Sequence, residues 1–333
     1  MTISIKSLVG FIIAALFLWL ALRQVNLLEA AAALKQAHLP WLICAVIALL
    51  LDYLIRSYRW LLILRSFNPK LSLSMCAAPF WGSFAVNNIL PLRAGDALRI
   101  MGYKQQLDVS RTHIASSLII ERIYDLTALL TVLVIALLVL PLQGDIAQLQ
   151  QITMAGSGLS VIGIVITLFY PEKILHLLDK IPNANLQRPS LNKALMLFSN
   201  LLSGLITINK RSSCIKLILF TTSAWALEGL VFISVLTSLN IPSALYAGWL
   251  AMGAGTLSTL IPSSPGYAGT FDYFTALSLR AFEVPPSLAI VAAIVIHLIL
   301  WLPITFIGGL LLWRSHGYQR LQSLKNTKGH HEL

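Results

Sequence analysis

Four long apolar stretches of the chain carry ionisable residues where a lipid bilayer would penalise them. The stretch 41–64 holds Asp52, Arg56 and Arg59, and 113–140 holds Glu121, Arg122 and Asp125. Glu228 stands in 213–239 and His297 in 287–313. Asp52 and Arg56 are four apart, as are Glu121 and Asp125, so each pair shares a helix face. A charge near the bilayer centre costs about 3 kcal/mol or more, and two carboxylates on one face repel. Both costs fall if the arginines lie opposite the carboxylates. Such a cluster can hold the helices together as a structural ion-pair network. It can also receive a charged headgroup or ion, and Arg59 alone can snorkel to the interface.

Two further apolar stretches, 75–92 and 244–262, are interrupted by Pro and Gly. The first runs through Asn87 and Asn88 to Pro91, Arg93, Gly95, Asp96 and Arg99. Its tip leaves backbone N–H groups unpaired, and with Arg93 beside them it suits an anion or a phosphate. The second runs to Pro262, Ser264, Pro265 and Gly266, with Asp272 following. It is rich in hydroxyls (Thr256, Ser258, Thr259, Ser263, Ser264) and nearly uncharged, so the two breaks differ chemically.

The elements that must position these groups are membrane helices. Hydrophobic residues make up 57% of the chain and charged residues 11%, against about 25% charged in a typical soluble domain. Mean hydropathy is +0.79. The apolar runs are continuous rather than alternating, which predicts helices and excludes a barrel. The net charge of +11 comes from basic residues gathered in particular loops, as the positive-inside rule expects, and not from a nucleic-acid surface. Cys44, Cys76 and Cys214 have no CxxC spacing and no nearby His, so no disulfide or metal site is expected. No P-loop, dinucleotide fingerprint, zinc motif or GxSxG is present, and no cofactor is expected.

The predicted fold is an all-α polytopic membrane protein. Six full spans are expected, at 7–22, 41–64, 113–140, 153–170, 213–239 and 287–313, plus the two broken segments, which are either re-entrant or paired short helices. Leu20 to Arg23 lacks a small-x-small cleavage site, so 7–22 reads as an uncleaved span. Pro91 and Pro262 stand 171 residues apart, as do Gly95 and Gly266. The same offset relates the flanking spans. The chain therefore reads as one membrane domain, 1–333, with repeat one at 41–140 and repeat two at 212–313. A connector at 171–212 and a tail at 314–333 are expected on the cytoplasmic side. With the N-terminus inside, most Lys and Arg fall in inside loops, and the loop 141–152 holds none. That orientation places both termini in the cytoplasm of a cell (inner) membrane and makes the two repeats inverted, a transporter arrangement.

The motifs Arg56-x-x-Arg59-Trp60, Asn88-Ile89-Leu90-Pro91-x-Arg93-x-Gly95-Asp96-x-x-Arg99, Glu121-Arg122-x-x-Asp125 and Ile261-Pro262-x-x-Pro265-Gly266 with Asp272 occur in that order. Together they cover most of the chain, and it resembles the transmembrane region of lysylphosphatidylglycerol synthases and its stand-alone, flippase-like relatives. The family usually has Glu where Asp96 and Asp272 stand, so the charge is kept with a shorter reach. The resemblance implies movement of a lipid between leaflets. Fused synthases also carry a large soluble aminoacyltransferase domain. Only a short tail follows Trp313 here, so lysylphosphatidylglycerol synthesis is not expected.

The function expected from the sequence is a lipid translocator for an anionic or phosphate-bearing lipid. Arg56, Arg59, Arg93 and Arg99 would hold the headgroup, and Glu121 and Asp125 would balance those arginines or accept an amino group if the headgroup has one, with Asn87, Asn88, Asp96 and Arg122 in the same substrate site. Glu228, Asp272 and His297 would serve the second broken segment. Two alternatives stand beside this: a membrane-embedded lipid-modifying enzyme with a carboxylate as general base, and a non-catalytic partner of an enzyme that modifies lipids or lipid-linked sugars.

Overall fold

The computed structural model describes residues 13, 15–20, 22–23, 26–90, 93–139, 145–179, 211–242, 244–261 and 264–329, with scattered positions between 195 and 206. The described residues are helical apart from short turns. Of the predicted span 7–22, positions 13, 15–20 and 22 are described, and these are helical. Pro91 and Pro262, and most of the connector 171–212, lie outside the described residues.

A short helix α1 (Leu27–Lys35) is capped by Asn26, whose side chain accepts from the Leu28 N–H at 3.0 Å. The long helix α2 (Leu39–Arg65) follows, with Pro at its first turn, where no N–H is missed. Helix α3 (Leu73–Ile89) is N-capped by Ser72 and ends at Leu90, which is extended. Arg93 then adopts a left-handed conformation and opens α4 (Ala94–Gly102). One turn, α5 (Lys104–Leu107), leads to α6 (Arg111–Val139).

Helix α7 (Asp145–Phe169) is followed at Tyr170–Pro171 by a 94° bend into α8 (Pro171–Asp179). In the second half, α9 (Arg211–Ser238) precedes α10 (Ala244–Ser258). A 3-10 turn (Pro265–Tyr267), α11 (Thr270–Arg280) and α12 (Pro286–Gly329) complete the chain.

Three described helices are long and apolar enough to cross a membrane: Leu39–Arg65, Cys214–Ser238 and Pro286–Ser315. Helix α6 has 29 residues but carries Glu121, Arg122 and Asp125 inside it. Two boundaries differ from the sequence reading. Helix α7 starts at Asp145 rather than 153, because Gln, Ala and Leu carry the helix past the apolar run. Helix α12 runs to Gly329, well past 313, since the basic tail is also rich in good helix formers.

The two broken segments fold back on themselves. Gly95 lies so close to α3 that a Cβ there would come 1.8 Å from the Ser83 carbonyl oxygen. Its N–H donates to Asn87 Oδ1 at 2.7 Å, which fixes the return of the chain. In the second half, a Cβ on Gly255 would meet Thr275 Oγ1 at 2.3 Å, so α10 and α11 are pressed together in the same way. At about 1.5 Å per residue, α3, α4, α10 and α11 are each shorter than the roughly 30 Å apolar core of a bilayer.

The packing is reciprocal. Helix α2 runs along α9, α3 packs on α12, and α10 packs on α6. The polarity is that of a protein in lipid. Leu51, Leu54, Ile135, Leu219 and Phe306 are exposed on the outside, while Asp52, Arg56, Arg59, Arg99 and Glu121 are buried inside. An outer surface this apolar would be a liability in water.

Candidate functional site: a charged cavity between two broken helices

Helix α2 supplies the axis of the site. Arg56 Nε donates to Asp52 Oδ1 at 2.7 Å, one turn earlier. Its Nη2 donates to Glu228 Oε2 of α9 at 2.6 Å, and its Nη1 to Asp125 Oδ1 of α6 at 3.5 Å. The Trp225 ring lies 4.9 Å from this guanidinium. Arg59 clamps Asp125 with both fork nitrogens, at 2.7 and 2.9 Å, and also donates to Thr221 Oγ1 at 2.7 Å. Glu121 stands 3.9 Å from Arg59 and accepts from Arg99 Nη2 at 2.6 Å. Arg99 stacks over Trp60 at 3.8 Å. Charges of opposite sign thus alternate from Asp52 through Arg56, Asp125, Arg59 and Glu121 to Arg99.

Beside this row opens a cavity of about 370 Å³, within the size range of small-molecule sites. Both halves of the chain wall it. Asp52, Arg56, Arg122 and Asp125 come from α2 and α6, and Asn87, Asn88 and Arg93 from the first broken segment. Glu228, Gly266, Tyr267 and His297 come from the second half. Most of the remaining wall is apolar, with Leu49, Phe84, Leu126, Leu260 and Trp301 among its side chains, beside the hydroxyls of Tyr53, Thr256 and Thr259.

The tips of the two broken segments meet at this cavity. Arg93 Nε donates to Tyr267 Oη at 3.1 Å. Both residues sit at positive φ, 53° and 63°, although neither is glycine, a conformation that costs about 1–2 kcal/mol each. Trp301 Nε1 donates to the Asn88 carbonyl at 3.2 Å, and Asn88 Nδ2 to Thr305 Oγ1 at 2.8 Å, tying the first tip to α12. Gly266, at φ 66°, has no room for a Cβ, which would lie 2.8 Å from Trp301 Nε1.

Of the residues predicted from sequence, the structure brings Arg56, Asn87, Asn88, Arg93, Arg122, Asp125, Glu228, Gly266 and His297 to the cavity wall. Arg59, Arg99 and Glu121 lie behind that wall, at 2%, 1% and 5% exposure. Asp96 sits at the margin, accepting from Asn87 Nδ2 at 3.0 Å and pairing with Arg122 at 3.4 Å. Asp272 reaches the site through His297, 2.8 Å away. Gly95 packs the hairpin, and Ser264 Oγ donates to the Ala268 carbonyl at 2.9 Å, closing its own turn next to Pro265.

Sequence reasoning did not assign Tyr53, Trp225, Tyr267 or Trp301 to the site. Helical spacing was the available signal for two of them: Trp225 precedes Glu228 by three residues and Trp301 follows His297 by four.

The pairing pattern separates the arginines by role. Arg56, Arg59, Arg99 and Arg122 each face at least one carboxylate. Among the described residues of the wall, Arg93 is the guanidinium with no carboxylate partner; its hydrogen bond goes to a phenol. Arg122 is paired only at 3.4 Å, and its side chain is 42% exposed. The cavity therefore has one end, at Arg93 and Arg122, with donors to spare for an anion. At the other end, around Arg56, three carboxylates already surround the cation.

The chain is similar in sequence to two curated proteins. It is 26% identical over 228 residues to a UPF0104 membrane protein of Methanocaldococcus jannaschii, covering 68% of this chain and 93% of that protein. It is 23% identical over 329 residues to the glycosyltransferase AglD of Haloferax volcanii, covering 90% of this chain but only 53% of that protein. No solved structure matches it. Residues 7–308, nearly the whole chain, match the lysylphosphatidylglycerol synthase transmembrane region, and with the apolar spans and buried charges this makes the chain an integral membrane protein belonging to that family.

Proposed function

We propose that the chain translocates a phosphate-bearing lipid headgroup between leaflets through the cavity. The observation that carries this reading is Arg93, which has a phenol and no carboxylate as its partner among the described residues of the wall, at the meeting point of the two hairpin tips. Its fork can take a phosphate bidentately, with Arg122 and the Asn87 and Asn88 amides alongside. The apolar wall formed by Leu126 and Leu260 gives acyl carbons a surface to follow.

The topology proposed is that of two inverted units, 41–140 and 212–313, within six full spans and two re-entrant hairpins, both termini being cytoplasmic. The reciprocal packing supports it: exchanging the two halves maps α2 onto α9 and the α3–α12 contact onto the α10–α6 contact. In such a fold the first hairpin opens to the cytoplasm and the second to the outside. A headgroup at Arg93 displaces the Tyr267 hydroxyl. That releases one tip from the other, so that each face opens in turn. The two strained residues at the contact are suited to such a change, since leaving positive φ lowers their backbone energy.

The test is binding of a soluble headgroup. Titration of glycerol 3-phosphate into purified protein in nanodiscs gives saturable heat for the wild type and none for Arg93→Ala. Equal binding by both sinks the assignment. The likeness to a glycosyltransferase favours a second reading, in which the chain serves as membrane partner to an enzyme of lipid-linked sugar chemistry. That reading gains if such an enzyme co-purifies and the Arg93→Ala variant remains functional in the complex.

A further inference from the structure

We propose that His297 and Asp272 form a proton-binding site that couples the second hairpin to a proton gradient; the inference rests on the translocator reading above. His297 lies on α12 and its ring nitrogens face two acceptors. Nδ1 is 2.8 Å from Asp272 Oδ1, and Nε2 is 2.9 Å from the Gly266 carbonyl oxygen. A backbone carbonyl only accepts, so Nε2 carries a proton. The contact with Asp272 then needs a second proton, either on Nδ1 or on the carboxyl. With both hydrogen bonds made, the pair holds one proton more than a neutral imidazole beside a carboxylate.

The surroundings keep the pair fixed and give it an effect. Asp272 Oδ2 accepts from the Gly269 N–H at 2.8 Å, which ties the carboxylate to the first turn of α11. The Phe271 ring packs edge-on to the imidazole at 5.1 Å. From the packed elements, Asp272 and Tyr267 are the titratable groups that face it. Across the cavity stand Asp52, Arg56 and Tyr53 of α2, Arg93 of the first hairpin, Arg122 and Asp125 of α6, and Glu228 of α9. Most of these charges are paired with one another, so the proton on His297–Asp272 is balanced within its own pair.

Loss of that proton leaves one N–H for two acceptors. If it stays with Asp272, the Nε2 lone pair faces the Gly266 carbonyl, and the turn that holds Tyr267 against Arg93 loses its anchor. Protonation closes the second hairpin; deprotonation frees it. The added proton comes from water on the side that is open while the second hairpin is closed, and it leaves to water on the side to which that hairpin opens.

Two measurements separate this site from the translocator reading. The first is solid-state NMR of the full chain in phosphatidylethanolamine–phosphatidylglycerol liposomes at pH 7.5, with 15N-histidine and 13C-aspartate labels. His297 is assigned by its loss in His297→Gln. Two protonated ring nitrogens, or one beside a protonated Asp272 carboxyl, are expected. A bare nitrogen together with an ionised Asp272 overturns the site, whether or not lipid moves.

The second follows headgroup-labelled phosphatidylglycerol in the same liposomes after a pH step. The gradient is expected to change the wild-type rate about tenfold, the size of effect one lost buried hydrogen bond gives. Asp272→Asn should not respond. A wild-type rate indifferent to the gradient overturns the coupling and leaves translocation standing. Absence of any lipid movement counts against translocation of that lipid, and the spectrum still decides the proton site.

Discussion

Asp125 is the junction of the buried charge row, and its replacement by Asn separates structural from local pairing. Four donors converge on it: both fork nitrogens of Arg59 at 2.7 and 2.9 Å, Arg56 at 3.5 Å and Trp225 Nε1 at 3.2 Å. The substituted amide would keep one acceptor but turn an N–H toward Arg59 Nη2. Arg59, 2% exposed, would then have only Glu121, 3.9 Å away, as its carboxylate. Stranding a buried charge costs about 3–5 kcal/mol, and the cavity beside Asp125 points to the lower end, about 3 kcal/mol.

Glu228→Gln is the control. Arg56 would keep Asp52 at 2.7 Å, and Gln would still accept, so about 1 kcal/mol is expected. Thermal unfolding in nanodiscs, read by tryptophan fluorescence, converts these costs at roughly 2–4 °C per kcal/mol. Asp125→Asn should therefore lower Tm by about 6–12 °C and Glu228→Gln by about 2–4 °C. Equal shifts, or an Asp125→Asn shift under about 2 °C, would refute the account of the charge row.

Arg99→Ala removes a guanidinium paired to Glu121 and stacked on Trp60, so a loss of about 3–5 kcal/mol is expected. Arg93→Ala, which loses a single hydrogen bond, should change stability by no more than about 1 kcal/mol, read in the same unfolding assay. Gly95→Ala would place a Cβ 1.8 Å from the Ser83 carbonyl. The protein should fail to accumulate in membranes, as a fusion-tag fluorescence assay would show. For the proposed orientation, Lys70→Cys and Glu283→Cys, both at exposed positions, are placed in a background lacking Cys44, Cys76 and Cys214. A membrane-impermeant thiol reagent applied to intact cells should label Glu283→Cys and spare Lys70→Cys.

The membrane class, the helices around Arg56, Asp125, Glu228 and His297, and the two breaks were legible because long apolar runs and Pro/Gly interruptions are local signals. Helix ends were less so: the polar starts and tails of α7 and α12 extend as helix without any apolar pattern. The division of labour among the arginines was not legible at all. Arg56 has Glu228, 172 residues away, as one of its partners, and Arg99 is covered by Trp60 of α2 and Phe80 of α3. Which guanidinium is left for a ligand depends on such long-range pairs, and no spacing within one helix encodes them. The contact of Arg93 with Tyr267, 174 residues apart, is of the same kind. The Pro and Gly residues announce two breaks, but only the packed fold brings their tips together.

The most direct test of the central claim is transbilayer movement in proteoliposomes, using headgroup-labelled anionic and zwitterionic phospholipids and a membrane-impermeant quencher. Wild-type protein is expected to move at least one anionic phospholipid, and Arg93→Ala, folded and with Tm lowered by no more than about 4 °C, is expected not to. Movement at the wild-type rate by Arg93→Ala would contradict that claim.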